Sequence, residues 1–394
     1  MSTTAPAREA PLVLTAARIA TAEGVLAPGW VRIEEGSVTD VGAGPAPGSA
    51  GGRATGPAVG APVVDLGNVT LTPGFVDLHQ HGGGGAAYTD GADAARAVIA
   101  AHRRRGTTSM LASLVTDTVD RLDEQVRALA PLVETDDLLG VHLEGPWLSP
   151  AHRGAHDPAL LLSPSTDDLR RLLAAAPGTV RLVTLAPELD GARQAIDVLT
   201  AAGVVVAVGH TDATLAVGHA AVDAGARVGT HLFNGERGLH HREPGVILAL
   251  LDRPEVVVEL IADGVHVHPA MVRHAAASAA GGFALVTDAM AAAGGPDGAY
   301  RLGPLDVEVT GGVARIAGTD TIAGSTLTLD RAVAFAVRES GIDLPTALAA
   351  ASTVPADLLG RPDLGRIEPG ARADLVTLDA DLTVTRVMRA GAWL

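Results

Sequence analysis

Short apolar runs alternate with segments of helical periodicity over most of the chain. The apolar runs lie at 69–78, 110–115, 138–143, 180–185, 204–208, 228–233, 256–261 and 283–286. Helix-like spacing occupies the intervals 92–105, 119–133, 166–175, 192–202, 214–224 and 269–280. Strand–helix alternation with a repeat of roughly 25–35 residues predicts a parallel α/β fold, and eight strands favour a closed (β/α)8 TIM-type barrel over an open sheet.

The two ends of the chain follow a different pattern. Residues 12–41 and 364–394 contain short alternating segments separated by glycine turns, which indicate antiparallel β-structure. The stretch 42–61 is rich in Gly, Ala and Pro and is interpreted as a flexible surface loop. We therefore predict one small β-domain, built from 1–70 and 364–394, and a barrel domain over 71–363.

Composition narrows the functional classes. The 394 residues are 47% hydrophobic but only 2% aromatic, and the net charge is −16, which argues against a nucleic-acid partner. The absence of cysteine excludes disulfides and thiolate metal sites and fits a cytoplasmic location. No apolar run precedes residue 11 and none reaches about 20 residues, so neither a signal peptide nor a membrane partner is expected.

Side chains that bind metals or move protons follow several of the apolar runs. Six of them lie at or near strand ends: His79, His81, Glu144, His210, His231 and Asp288. Asp263 and His266 follow the seventh run in the same way. Because the C-terminal ends of barrel strands converge on one face, we expect these residues to meet in one pocket.

The residue types in this set suit a divalent metal ion, with zinc or iron preferred. His79 and His81 project to the same side of an extended segment, and Glu144 could bind one ion or bridge two. Asp288 could accept a proton from an attacking water and deliver it to a leaving amine.

Each signal also has a structural interpretation. A single barrel histidine is more often a hydrogen-bonded core residue, and Gly82 to Gly85 is better explained as a turn than as a phosphate loop. Four further histidines are interpreted as solvated: His102, His152, His219 and His274. No Gly-x-Ser-x-Gly motif is present, so a serine hydrolase is not supported.

Longer motifs surround these residues. They are 73–82, 142–147, 154–156, 184–188, 209–211, 230–234, 242–245, 262–266, 286–289, 323–325 and 365–375. Together they resemble the amidohydrolase superfamily and, within it, the N-acetylglucosamine-6-phosphate deacetylases. The resemblance implies a (β/α)8 barrel with a small β-sandwich formed by both chain ends, and a homodimer.

The resemblance also implies roles around one or two divalent ions per subunit. Glu144, His210 and His231 would hold the main ion, and His79 and His81 would hold a second. Asp288 would be the general base and then the acid, while His266 would hydrogen-bond the substrate and stabilise its carbonyl oxygen.

The implied substrate is an amino-sugar phosphate, N-acetyl-D-glucosamine 6-phosphate, converted to D-glucosamine 6-phosphate and acetate. Asn234, the backbone of Gly235 and Arg242 would contact the sugar phosphate, Arg242 from a neighbouring subunit. The resemblance places further residues in the substrate pocket: Ala155, His156, Asp263, Ile322, Ala323 and Gly324. The alternatives are N-acetylgalactosamine 6-phosphate, another cyclic amide or N-acyl substrate, and a non-catalytic barrel scaffold.

Two short segments depart from the family pattern. Gly235-Glu236 stands where Ala-Met is common, and Thr211-Asp212 stands where Ser-Asn is common. A carboxylate at Glu236 would repel a phosphate unless it faces away from the substrate.

Overall fold

The computed structural model describes residues 11–47 and 61–394. Residues 1–10, and most of the loop predicted at 42–61, lie outside the described residues. Within the described residues the α-helices are α1 Ala92–Arg103, α2 Val119–Glu134, α3 Thr166–Ala175, α4 Ala192–Ala201, α5 Leu215–Ala224, α6 Gly245–Leu251, α7 Pro269–Ser278, α8 Leu329–Arg338, α9 Leu344–Ala350 and α10 Thr353–Leu358. Short 3-10 helices cover Tyr88–Asp90, Pro150–His152 and Pro158–Leu160.

The strands of the described residues fall into five sheets. In chain order they are β1 Leu12–Ala16, β2 Arg18–Thr21, β3 Gly24–Leu26, β4 Gly29–Glu34, β5 Ser37–Ala43, β6 Val63–Asp65, β7 Thr70–Pro73, β8 Phe75–Asp77, β9 Gly82–Gly83, β10 Ala86–Ala87, β11 Thr107–Val115, β12 Gly140–Glu144, β13 Val180–Leu185, β14 Val205–Val208, β15 Ala226–Gly229, β16 Val257–Ile261, β17 Phe283–Val286, β18 Gly298–Leu302, β19 Leu305–Thr310, β20 Val313–Ile316, β21 Leu375–Leu378, β22 Val384–Arg389 and β23 Ala392–Trp393.

Both ends of the chain contribute to one sheet, as predicted. A six-stranded sheet has the order β23-β22-β21-β7-β2-β3, so C-terminal strands pair with N-terminal ones, and a four-stranded sheet has the order β5-β4-β1-β6. Buried side chains from both sheets, including Leu14, Val31, Leu71, Leu375 and Met388, form a common core. Five of the six residues of β4 and three of the five residues of β1 are buried.

Eight strands form the barrel sheet in chain order, from β8 through β11, β12, β13, β14, β15 and β16 to β17. Neighbouring strands from β11 to β17 pair in parallel. Every residue of β11, β12 and β17 is buried, as expected for strands covered on both faces. The predicted α/β barrel is therefore confirmed.

Capping side chains start several of the helices that follow these strands. Thr118, Ser165 and Thr214 each accept a hydrogen bond from the backbone N–H three residues ahead, at the start of α2, α3 and α5. Gly225 ends α5 with a φ of 124°, which side chains disfavour. These local signals define where α2, α3 and α5 begin and where α5 ends before the next strand.

The barrel closes where the segment after β8 meets the segment after β17. Gln80 forms a parallel bridge with Ala289. The Asp288 N–H donates to His79 O at 2.8 Å, and the Thr287 hydroxyl donates to the Asp77 carboxylate at 2.7 Å. This seam joins the two ends of the sheet at the point where candidate ligands emerge.

Three details differ from the sequence prediction. The run 69–78 is two strands, because β7 belongs to the six-stranded sheet and β8 to the barrel. The run 228–233 is a strand only to Gly229, after which the chain turns. Helices α6, α8, α9 and α10 and the antiparallel sheet β18-β19-β20 were not predicted.

The chain divides into two compact units. One comprises the described residues among 1–76, with 103–108 and 344–394, and the other comprises 77–102 and 109–343. The boundaries predicted from sequence, 1–70 with 364–394 and 71–363, remain a prediction. Within the described part of the chain, no helix is long and apolar enough to cross a membrane.

Candidate metal centre and catalytic pocket

Strand ends supply the candidate ligands. His79 and His81 follow β8, Glu144 is the last residue of β12, and His210 comes just after β14. His231 and Asp288 stand in the turns after β15 and β17. All six are at least nine-tenths buried. The structure therefore brings together, at one barrel face, side chains more than 200 positions apart.

Tight backbone turns direct three of these side chains into the pocket. His210, His231 and Asp288 have φ values of 47°, 26° and 47°, which are unusual for residues other than glycine. Such strained conformations persist only where surrounding contacts enforce them. The backbone contact from Asp288 N to His79 O, and that from Ser149 N to His210 O at 2.8 Å, supply part of that enforcement.

Glu144, His210 and His231 form the first group. Both histidine Nε2 atoms lie near Glu144 Oε1, at 3.1 Å and 3.0 Å, and they are 3.1 Å from each other. Ligand atoms about 2.1 Å from one tetrahedral ion are themselves about 3.4 Å apart. The spacing of this group therefore fits a shared divalent cation.

His79, His81 and Asp288 form the second group. The two Nε2 atoms are 3.2 Å apart, and Asp288 Oδ1 lies 3.1 Å from His81 Nε2 and 3.5 Å from His79 Nε2. Glu144 Oε2 is 3.2 Å from His81 Nε2. Glu144 thus turns one oxygen toward each group, which is the arrangement that could bridge two ions.

The electrostatics of the pocket favour positive charge. Burial opposes ionisation of Glu144, but His79, His210 and His231 hold its pKa well below the usual range. Burial likewise opposes protonation of His79, yet Glu144 and Asp288 raise its pKa well above the ordinary value. A positive charge at His79 relieves the repulsion between the buried carboxylates of Glu144 and Asp288, and a bound cation would have the same effect.

The outer ring nitrogens of three candidate ligands, His79, His81 and His210, are held by hydrogen bonds. His210 Nδ1 contacts His152 O at 2.9 Å, His81 Nδ1 contacts Ser113 O at 3.2 Å, and His79 Nδ1 contacts Glu259 Oε2 at 3.2 Å. A backbone carbonyl or carboxylate at Nδ1 fixes the proton there and leaves Nε2 free to bind a metal. Sequence reasoning missed Glu259, although a carboxylate inside the apolar run 256–261 was the available signal.

A buried polar network lies next to His79. His142 contacts Ser113 Oγ and Thr184 Oγ1, both at 2.9 Å, and Thr184 contacts Thr230 at 2.9 Å. Burial and the nearby His79 keep the pKa of His142 well below the ordinary value, so its ring is neutral. His142 packs edge-on against the His79 ring, with centroids 4.6 Å apart. It supports a ligand rather than joining the ligand set.

An open cavity lies over these groups, with about 640 Å³ of empty space that includes solvent at its mouth. Most of the predicted substrate residues line it, namely Ala155, His156, Asn234, Gly235, His266, Ile322 and Gly324. Val115, Gly154 and Leu302 also line it and were not predicted. Leu302 belongs to the unpredicted sheet β18-β19-β20, whose apolar side chains pack with Val115 and Met290.

Four predicted residues lie in positions that refine their expected roles. Asp263 is absent from the cavity lining and accepts a hydrogen bond from His266 Nδ1 at 2.7 Å, so it orients His266. Ala323 is fully buried behind the lining. His156 Nε2 lies 3.6 Å from Glu144 Oε2, within reach of the first ligand group. Arg242 is exposed and does not line the cavity in this chain.

One histidine was assigned wrongly from sequence. His102 was expected to be solvated, but it is buried, and its Nε2 contacts Gly82 O at 2.9 Å. Burial lowers the pKa of His102 to about 4, so the ring is neutral. A Cβ on residue 83 would lie 2.6 Å from the His102 ring, which explains why this position, two residues after the His-x-His motif, is glycine.

The two departures from the family pattern have structural partners. The Phe233 N–H donates to Glu236 Oε1 at 2.6 Å, and the other carboxyl oxygen is buried. Burial raises the pKa of Glu236 to about 8, so this carboxyl is largely neutral near pH 7. Asp212 is paired with Arg237 and His152. Neither carboxyl presents an unpartnered negative charge to the pocket.

Comparison with known proteins places this arrangement among hydrolases. The pattern described as the Amidohydrolase family matches residues 70–394. N-acetylgalactosamine-6-phosphate deacetylase of Escherichia coli O157:H7 is 38% identical, over 96% of this chain and 98% of the relative. Human N-acetylglucosamine-6-phosphate deacetylase is also 38% identical, over 83% of this chain and 84% of the relative.

Solved structures similar to this chain are also deacetylases of an acetylated amino-sugar phosphate. A mutant N-acetyl-D-glucosamine-6-phosphate deacetylase from Mycobacterium smegmatis, in complex with N-acetyl-D-glucosamine-6-phosphate, is 48% identical, with a TM-score of 0.92 over 98% of this chain and 99% of that chain. The N-acetylglucosamine-6-phosphate deacetylase from Pasteurella multocida is 27% identical, with a TM-score of 0.90 over 98% and 99%. The family resemblance read from sequence is confirmed.

Replacing Glu236 tests its buried, raised-pKa state. Between about pH 4.5 and about pH 8, the Glu236 carboxyl is ionised in the unfolded chain but remains protonated in the folded chain. The free energy of unfolding therefore falls as the pH rises through this range. Glu236→Gln removes that loss. The free energy of unfolding of Glu236→Gln should exceed that of the unmodified protein by an amount that grows from pH 5 to pH 8 and then levels off at a few kcal/mol.

Thermal unfolding of both proteins at pH 5, 7 and 8.5 measures the effect. The exposed Glu308→Gln is the matched control and should shift unfolding equally at all three values. A constant difference for Glu236→Gln across the series would show that Glu236 is ionised at neutral pH.

Proposed function

Because the chain belongs to the amidohydrolase family, we propose that it hydrolyses N-acetyl-D-glucosamine 6-phosphate to D-glucosamine 6-phosphate and acetate. The observation that carries this proposal is the position of Glu144 beneath the open cavity: its Oε1 lies 3.0 Å from His231 Nε2 and its Oε2 lies 3.2 Å from His81 Nε2, so one carboxylate faces both ligand groups. The names of the relatives, each a deacetylase of an acetylated amino-sugar 6-phosphate, support the substrate class.

The residues fit one or two divalent cations. Glu144, His210 and His231 would hold the main ion, and His79, His81 and Asp288 a second; zinc suits this imidazole and carboxylate set, and iron is the alternative. When bound, the cation supplies a Lewis acid that polarises the acetyl carbonyl and makes water acidic enough to react near pH 7.

The protein's own groups then move the protons. Asp288 accepts a proton from water as oxygen bonds to the acetyl carbon, and it returns that proton to nitrogen as the C–N bond breaks. The ring proton of His266 Nε2 stabilises the charge that develops on the carbonyl oxygen. Burial opposes protonation of His266, but Asp263 raises its pKa, which favours the donor form.

The sugar and its phosphate would be held at the mouth of the cavity. Asn234 and the backbone of Gly235 line it, and Gly235 has a φ of 62°, so its N–H is presented in a turn that a side chain would disfavour. The exposed Arg242 supports an arrangement in which each subunit of a homodimer lends this cation to its neighbour. The lack of cysteine supports a cytoplasmic location.

A substrate panel tests the function and its alternatives. The metal-loaded protein is assayed for release of free amine from N-acetylglucosamine 6-phosphate, its galactosamine epimer, unphosphorylated N-acetylglucosamine and an N-acyl amino acid. We expect the glucosamine phosphate to have the highest kcat/KM, and removal of its phosphate to cost roughly 10–100-fold. Preference for the epimer would favour the galactosamine alternative, which the Escherichia coli O157:H7 relative supports. No release from any substrate would favour a non-catalytic barrel.

Asp288→Asn tests the proton-transfer role. The amide keeps the size of the side chain and an oxygen near His81 but cannot accept a proton, so kcat should fall by roughly 10²–10⁴-fold. Elemental analysis should show that the ion held by Glu144, His210 and His231 is retained, because Asp288 is not among its ligands. The exposed Asp320→Asn is the control and should retain full turnover. Near-normal turnover in Asp288→Asn would exclude Asp288 as the base.

Arg242→Ala tests the phosphate contact across subunits. We expect KM for the phosphorylated sugar to rise by roughly 10–100-fold, with little change for the unphosphorylated sugar. The control is the exposed Arg104→Ala. Coexpressing Arg242→Ala with Asp288→Asn chains should restore activity, because a mixed dimer contains one pocket with an intact Asp288 and a neighbour's Arg242. Failure to restore it, or a monomer by light scattering, would contradict the shared site.

A further inference from the structure

One buried carboxylate, Glu259, contacts a candidate metal ligand without belonging to either ligand group. Glu259 lies in β16 and its side chain is fully buried. We propose that Glu259 is a positioning residue that acts through His79 to set the affinity for the second metal ion. This inference rests on the proposed metal-dependent function, because it requires an ion at His79, His81 and Asp288.

The contact with His79 has the geometry that the role requires. Glu259 Oε2 lies 3.2 Å from His79 Nδ1, on the side of the ring opposite Nε2. His79 Nε2 faces His81 and Asp288, at 3.2 Å and 3.5 Å. A carboxylate at Nδ1 keeps the proton on that nitrogen and makes Nε2 a stronger electron donor to a metal.

The backbone fixes the carboxylate in place. The His231 N–H donates to the same Oε2 atom at 3.2 Å, and the Leu232 N–H donates to the Glu259 carbonyl oxygen at 2.9 Å. These bonds join Glu259 to the turn in which His231 has a φ of 26°. Glu259 therefore touches a ligand from each group, through a ring nitrogen of His79 and a main-chain N–H of His231.

A cation bound at His79 would balance the buried carboxylate of Glu259. Among the described residues its only ion-pair contact is His79, and Oε1 is buried without a hydrogen-bond partner. A buried carboxylate without a fixed cationic partner is costly, and the cost falls when a nearby cation balances it. A divalent ion at His79 would supply that charge one imidazole away, so ion binding and the Glu259 charge should be coupled.

The test measures metal affinity without substrate. Metal-free protein is titrated with zinc against a competing chelator, for the unmodified chain and for Glu259→Gln. We expect two zinc ions per unmodified chain. In Glu259→Gln the weaker site should lose roughly 10–100-fold in affinity while the tighter site changes little, because Gln can still accept the His231 N–H but removes the charge.

Controls separate this role from a general effect on folding. Glu188→Gln alters a carboxylate that holds Thr211 and the Asp212 N–H without touching a histidine, and it should leave both zinc affinities unchanged. Thermal unfolding of the metal-free proteins reports folding. If Glu259→Gln does not fold, Glu259→Asp keeps the charge but withdraws it from His79, and should weaken the same site.

Any of three results would overturn the proposal: equal zinc affinities in the unmodified protein and the Glu259 variants, equal weakening of both sites, or a single zinc per unmodified chain. None of these outcomes depends on deacetylation. A chain that binds two zinc ions as expected but hydrolyses no substrate would contradict the proposed function and leave the role of Glu259 intact.

Discussion

Closure of the barrel between its first and last strands is the contact on which the metal centre depends. His79 and His81 leave the first strand, and Asp288 leaves the last. They face each other because Asp288 N bonds to His79 O, and Thr287 bonds to Asp77 across the same seam. Without this closure the second ligand group would be split between opposite edges of an open sheet. Fold stability and ligand geometry therefore share the same few hydrogen bonds.

The general location of the site could be predicted from sequence because barrel topology converts strand order into proximity. His79, Glu144, His210, His231 and Asp288 each follow an apolar run, and the C-terminal ends of parallel strands meet on one face. Their exact directions could not be predicted. His231 lies beyond the end of β15, in a turn with positive φ, and such conformations depend on contacts such as that with Glu259 from another strand.

Supporting residues were harder to recognise than ligands, for a related reason. His102 and Glu259 occur in segments whose periodicity indicates a helix and a strand, and periodicity alone does not show which distant group a buried polar side chain contacts. Burial is decided by distant partners: the Gly82 carbonyl for His102 and the His79 ring for Glu259. The sheet β18-β19-β20 was missed similarly, since its alternation becomes informative only once its apolar face packs on Met290 and Val115.

An acidic chain that binds an anionic substrate must keep its negative charge away from the pocket mouth. With a net charge of −16, long-range repulsion would slow the approach of a sugar phosphate. Two acidic residues that follow pocket residues in the chain carry little free negative charge: Asp212 is paired with Arg237 and His152, and burial keeps Glu236 largely protonated. Because Arg237 already pairs with Asp212, the phosphate of the substrate needs a different cationic side chain. In the proposed dimer, the exposed Arg242 of the neighbouring subunit would supply this cation without placing an uncompensated arginine beside the histidines of the candidate metal centre.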